Sequence, residues 1–191
     1  MTPLKLFGVG ERGETAQSRA VKAAWIGLLI VPSIVATGAL ACVAPFAAVA
    51  ALAGLTLPRR EALATVLALW IGNQAVGFLS LDYPTDAYTL GWGLAMGVAA
   101  LLAALAAERF RARRDVSGLA IGFAAAFVVN QVAMWAASAF LGAGAGFTPE
   151  VIAYVAVINA VWFVALAAGH LVLVALAERR ARAALASRKA A

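Results

Sequence analysis

Residues 62–81 read ALATVLALWIGNQAVGFLSL, an unbroken stretch without a single charged side chain. Wound as an α-helix, such a stretch rises about 30 Å, the thickness of a bilayer's hydrocarbon core. Four more uncharged runs accompany it: Ala23–Pro58, Ala87–Ala107, Val116–Pro149 and Val151–Ala177. Of the 191 residues 64% are hydrophobic and 13% charged, with mean hydropathy +0.93. A soluble domain of this size carries about 25% charged residues, so there is too little polar surface here to cover a water-soluble globule. A cytosolic enzyme, a nucleic-acid binder and a disordered chain are excluded together.

The runs 62–81, 87–107 and 151–177 fit one membrane helix each. The run 23–58 is too long for one helix and long enough for a tight pair. Pro32 and Pro45 bracket its break, because proline removes a helix donor and sits near boundaries or kinks. Helix 1 is thus expected over about 22–40 and helix 2 over about 44–57. The run 116–149 gives helix 5 to about Leu141, followed by the glycine-rich Gly142–Gly146. The spacing predicts an all-α integral membrane protein, a six-transmembrane-helix bundle forming one domain over 1–191. In that reading 1–21 is a cytoplasmic segment, 22–177 holds the six spans and 178–191 is a cytoplasmic basic tail.

Charge placement supports the count. Every Lys and Arg lies in the N-terminal segment, at Arg59 and Arg60, between Arg109 and Arg114, or from Arg179 to Lys189. The alternate loops hold only Asp82, Asp86 and Glu150. By the positive-inside rule both termini are cytoplasmic. The net charge of +6 thus reports topology and anionic lipid headgroups rather than nucleic acid. A competing reading takes the N-terminus, with Ala39-Leu40-Ala41-Cys42 as a poor lipoprotein cleavage box, for a signal peptide; its apolar run is longer than such peptides carry.

Two helices share a polar signature. Asn73-Gln74 in Trp70–Phe78 recurs as Asn130-Gln131 in Phe127–Trp135, an offset of 57 residues, so helices 3–4 and 5–6 read as two copies of one hairpin. With Asn159, these amides form one polar layer near the midplane, displaced toward the outer side. Polar side chains at that depth face the bundle interior. They serve either as bonds between helices or as the lining of a binding cavity that opens outward, near Tyr83, Asp86 and Tyr154. Tyr88 and Trp92 read as interfacial aromatics.

Much chemistry lacks its residues. One His and one Cys cannot supply bis-histidine haem ligation, a histidine-rich metal permease or a dithiol redox pair. No charge lies inside a span, and no phosphate-binding glycine loop is present, so any energy supply comes from a partner or a gradient. His170 reads as a packed core residue near the cytoplasmic end. Cys42 falls at the outer end of helix 1, either as a small hydrophobe or as a thiolate ligand for a soft metal carried by a substrate.

A bundle of this size and topology, without an ATPase and with an outer-side pocket, resembles the substrate-binding S-component of energy-coupling-factor (ECF) vitamin transporters. The resemblance implies an Ala-x-x-x-Ala contact for the ECF coupling subunit and its ATPases. Ala20 and Ala24 match that spacing, as do Ala44 and Ala48. The BtuM-type cobalamin members are similar in size and imply Cys42 as a ligand to substrate cobalt, with no intrinsic cofactor. The expected function is capture of a vitamin ligand, cobalamin or another corrinoid, by a lipid-embedded protein of the bacterial inner membrane. The expected contacts are Cys42, Asn73, Gln74, Tyr83, Asp86, Asn130, Gln131, Tyr154 and Asn159. The alternatives are a non-transporting membrane subunit or scaffold and a membrane enzyme, for example one decyanating a corrinoid through Cys42.

Overall fold

A computed structural model describes residues 16–40, 44–113, 115–142 and 147–190. The described residues form six helices: α1 (Ala16–Leu40), α2 (Phe46–Thr56), α3 (Arg59–Ser80), α4 (Ala87–Glu108), α5 (Val116–Leu141) and α6 (Pro149–Ala190). Their boundaries follow local chemistry. Asp86 and Asp115 cap α4 and α5, each carboxylate accepting a backbone N–H, from Thr89 and Gly118, at 2.8 Å. That satisfies donors the first helical turn leaves open. α5 stops at Gly142, whose left-handed backbone (φ 83°) sends its N–H to the Ser138 carbonyl at 2.9 Å, a turn open to glycine because it lacks a Cβ.

Five helices are long and apolar enough to cross a bilayer: α1, α3, α4, α5 and α6. The helix expected over 44–57 differs. α2 has 11 residues, about 16 Å of helix, half of what a span requires, and all of them are buried. A helix apolar on every side belongs inside a bundle rather than at a lipid surface. α2 is packed among the other helices, chiefly α4, α5, α3 and α6. Its composition permits this: FAAVAALAGLT presents small side chains on all faces, so neighbouring backbones approach closely. At Gly54 an added Cβ would run into the Ala104 carbonyl, and at Gly122 of α5 into the Leu55 side chain.

Two other boundaries move. α6 runs 42 residues to Ala190, about 63 Å, so the segment expected as a basic tail continues the last helix. α1 begins at Ala16, six residues before the expected start.

The basic clusters meet at one end of the bundle. Lys22 of α1 pairs with Glu61 of α3 at 2.8 Å. Arg59 pairs with Glu108 at 3.7 Å, and Arg111 donates to the Leu57 carbonyl, just past α2, at 2.7 Å. At the same end Trp25 is 1% exposed and its Nε1–H donates to Thr56 Oγ1 at 2.9 Å. The His170 ring lies 4.3 Å from the Trp25 ring and is fully buried, the packed position its sequence context indicates. α2 therefore fills the basic half of the bundle and leaves the opposite half without a central helix.

Candidate functional site

α3 and α4 close on each other through small residues. Trp70 and Gln74, one turn apart on α3, sit against Gly97 and Gly93, one turn apart on α4. The Trp70 Nε1–H donates to the Gly93 carbonyl at 2.7 Å. Glycine has no Cβ, so large α3 side chains lie directly on the α4 backbone. Asn73 then turns toward α1, its Nδ2 donating to Thr37 Oγ1 at 3.1 Å, and Gln74 Nε2 donates back to Asn73 Oδ1 at 3.1 Å. Thr37 in turn donates to the Ser33 carbonyl at 3.0 Å. The first amide pair is thus spent inside the bundle as interhelical bonding.

The second pair has a different fate. α6 carries no glycine before Gly169, and the 57-residue offset puts Glu150 and Tyr154 where α4 has Gly93 and Gly97. Without those hollows α6 cannot receive the α5 side chains as α4 receives those of α3. α5 packs extensively on α4 and only sparsely on α6, meeting it at the Phe123 and Phe163 rings, 4.7 Å apart.

Beyond that contact the gap widens into a cavity of about 240 Å³ in the half of the bundle opposite the basic end. Phe46 and Ala47, the first residues of α2, form its floor beside Ala44. Asn130, Gln131 and Met134 of α5 line one wall, Val151, Ile152, Val155 and Asn159 of α6 the other, and Met96 of α4 the back. Phe147 borders the cavity and stacks on Trp92 with ring centroids 6.5 Å apart, so Trp92, an expected interfacial aromatic, supports its rim.

Hydrogen bonding in the cavity is uneven. Asn159 is committed: its Oδ1 accepts the Ala48 N–H at 3.1 Å, and its Nδ2 donates to the Val155 carbonyl at 2.9 Å. The Asn130 and Gln131 side chains form no hydrogen bond among the described residues. Each amide offers donors and an acceptor to whatever enters. The Ala47 N–H, in the first turn of α2, also lacks an acceptor among the described residues. No charged side chain lies among the described lining residues, so the space suits an uncharged guest with both donor and acceptor groups, since burying an unpaired charge is costly.

Of the nine expected contacts, Asn130, Gln131 and Asn159 come together here. Asn73 and Gln74 lie on the α1–α3–α4 side in the bonds described above. Tyr83 folds over Gly77, its N–H donating to the Gly77 carbonyl at 3.1 Å, with its ring 6.3 Å from Phe78. Asp86 is spent as the α4 cap; the Thr89 N–H holds its carboxyl below the ordinary range, with the Thr89 hydroxyl second. Tyr154 is 62% exposed on the outer surface of α6. Cys42 lies outside the described residues. Sequence reasoning missed Met96, Met134 and the α2 floor; apolar residues in apolar helices carry no signal of a cavity. Among the described residues no cluster of metal-binding side chains occurs. No protein-family model, curated protein or solved structure matches the chain.

Proposed function

We propose that this chain is a multi-pass protein of the bacterial inner membrane that captures a small, uncharged, hydrogen-bonding organic molecule, of the vitamin class, from the outer side. In this reading the basic end faces the cytoplasm, as the positive-inside rule requires, and the cavity faces out. The observation that carries it is the pair of amides, Asn130 and Gln131, left without partners beside an open space while their counterparts Asn73 and Gln74 are bonded. In hydrocarbon an amide without a partner costs free energy; a bound molecule or water supplies that partner.

About 240 Å³ lies just below the usual range for ligand cavities, which begins at about 300 Å³, and suits a vitamin of one or two rings. A corrinoid, the substrate implied by the resemblance to ECF S-components, is far larger, and its capture requires α5 and α6 to part. With no charge in the cavity, uptake against a gradient draws on a partner ATPase module through a coupling subunit.

Calorimetry of the purified chain against a panel of vitamins, cobalamin included, tests the reading, with the visible spectrum as a second readout for a corrinoid. One member binds, and the Asn130→Leu/Gln131→Leu variant abolishes its binding while Asn73→Leu weakens it little. A panel without a binder, or binding indifferent to the double variant, defeats the proposal.

A further inference from the structure

A second space of about 240 Å³ lies at the basic end, between the start of α1 and the inner part of α6. Ala20 and Ala24 of α1 face Leu173, Leu176 and Ala177 of α6, and Arg180 lines the end toward the basic extension. From Leu173 to Arg180 the groove follows α6 for about 10 Å. Its walls are almost wholly apolar, because alanines on both helices leave room that larger side chains would fill. It thus pairs a slot for hydrocarbon with a cation at one end.

The charges around it are unevenly committed. Lys22 is paired with Glu61, and Glu178 with Arg182 at 3.3 Å. Arg180 has no carboxylate partner among the described residues, and neither do its sequence neighbour Arg179 nor Arg19, beside Ala20. Arg180 and Arg19 are exposed. Apolar walls ending in unmatched guanidinium groups complement a molecule with a hydrocarbon tail and an anionic head.

We infer that the α1–α6 groove is a binding site for an anionic phospholipid of the leaflet at the basic end. One acyl chain lies between Ala24 and Leu173, and the phosphate sits on Arg180, the one cation lining the groove among the described residues. This site is separate from the amide-lined cavity and does not depend on what that cavity binds.

Native mass spectrometry of the full chain tests it, after delipidation and titration with phosphatidylglycerol or with phosphatidylcholine of the same acyl chains. One phosphatidylglycerol is retained with about fivefold preference, the gain from one basic residue near a headgroup. Arg180→Gln brings that ratio close to one. Ala24→Leu fills the slot and lowers occupancy by both lipids, and Arg109→Gln, at the same end but outside the groove, changes neither. Equal retention of the two lipids by the unaltered chain overturns the inference. So does a preference that survives Arg180→Gln, or a second copy of the chain in place of lipid, seen as a dimer that Ala24→Leu dissolves.

Discussion

Asn159, 5% exposed in the first third of α6, holds the first turn of α2 by accepting the Ala48 N–H at 3.1 Å. Pro45, the residue before α2, supplies no side-chain cap, so an amide 111 residues away does the work usually done by a serine or aspartate next door. Asn159→Leu leaves the Ala48 donor buried without an acceptor and is expected to cost about 1–3 kcal/mol. Reversible unfolding in detergent, followed by circular dichroism, checks this. Asn159→Asp keeps an acceptor but sets a buried, unpaired carboxylate against the Val155 carbonyl, and restores little of the loss at neutral pH.

The two amide pairs differ in what their removal does. Asn73→Ala breaks the link between α1 and α3 and strands Gln74, at a cost of up to about 1.7 kcal/mol for an interhelical bond in a membrane protein. Asn130→Ala and Gln131→Ala break no described bond and change stability by less than about 0.5 kcal/mol. Parallel unfolding of the three variants reads the difference.

Close approach of backbones makes Gly54 intolerant. A methyl there meets the Ala104 carbonyl and the Glu108 amide, which are main-chain atoms, so Gly54→Ala forces α2 and α4 apart at a cost of about 1–3 kcal/mol. Gly38, whose added Cβ would find only Val76 Cγ1 at ordinary contact distance, is the control; Gly38→Ala is neutral or stabilising by up to about 0.5 kcal/mol. Thermal unfolding midpoints of the two variants test the contrast.

Acid loosens the starts of α4 and α5. The Ser117 hydroxyl and then the Gly118 N–H hold the Asp115 carboxyl below its ordinary range, and the Thr89 N–H does the same for Asp86. A folded-state pKa below the unfolded one contributes stability that is present above the unfolded value and lost as pH falls through the folded value. The thermal midpoint is therefore flat near neutrality and falls below about pH 4. Asp86→Ala and Asp115→Ala lower it at pH 7 and flatten the acid limb. Midpoints across pH 3–7 decide.

The long helices and the gathering of basic clusters at one end were legible in the sequence, because hydrocarbon thickness and charge exclusion act on composition alone. Helix 2 was legible as a helix but not as a short interior one: its apolar run says that it avoids water, not which neighbours surround it. The amide layer was legible as a set. Its division was not, since it depends on glycines of a different helix, Gly93 and Gly97 beneath Gln74 and Trp70, and on their absence from the opposing stretch of α6. Ala20 and Ala24 stood out by spacing, yet what they face is decided by Leu173 and Leu176, far along the chain.

α2 is built mostly from residues with no rotamers to lose: Ala47, Ala48, Ala50, Ala51, Ala53 and Gly54. Burying them sacrifices almost no side-chain entropy, and heat has few torsions there to excite. Around the cavity the inventory is opposite, with Met96, Met134 and Gln131 each carrying several soft torsions. The molecule is thus divided across its thickness into a stiff half and a supple half, and warming softens it from the cavity side first.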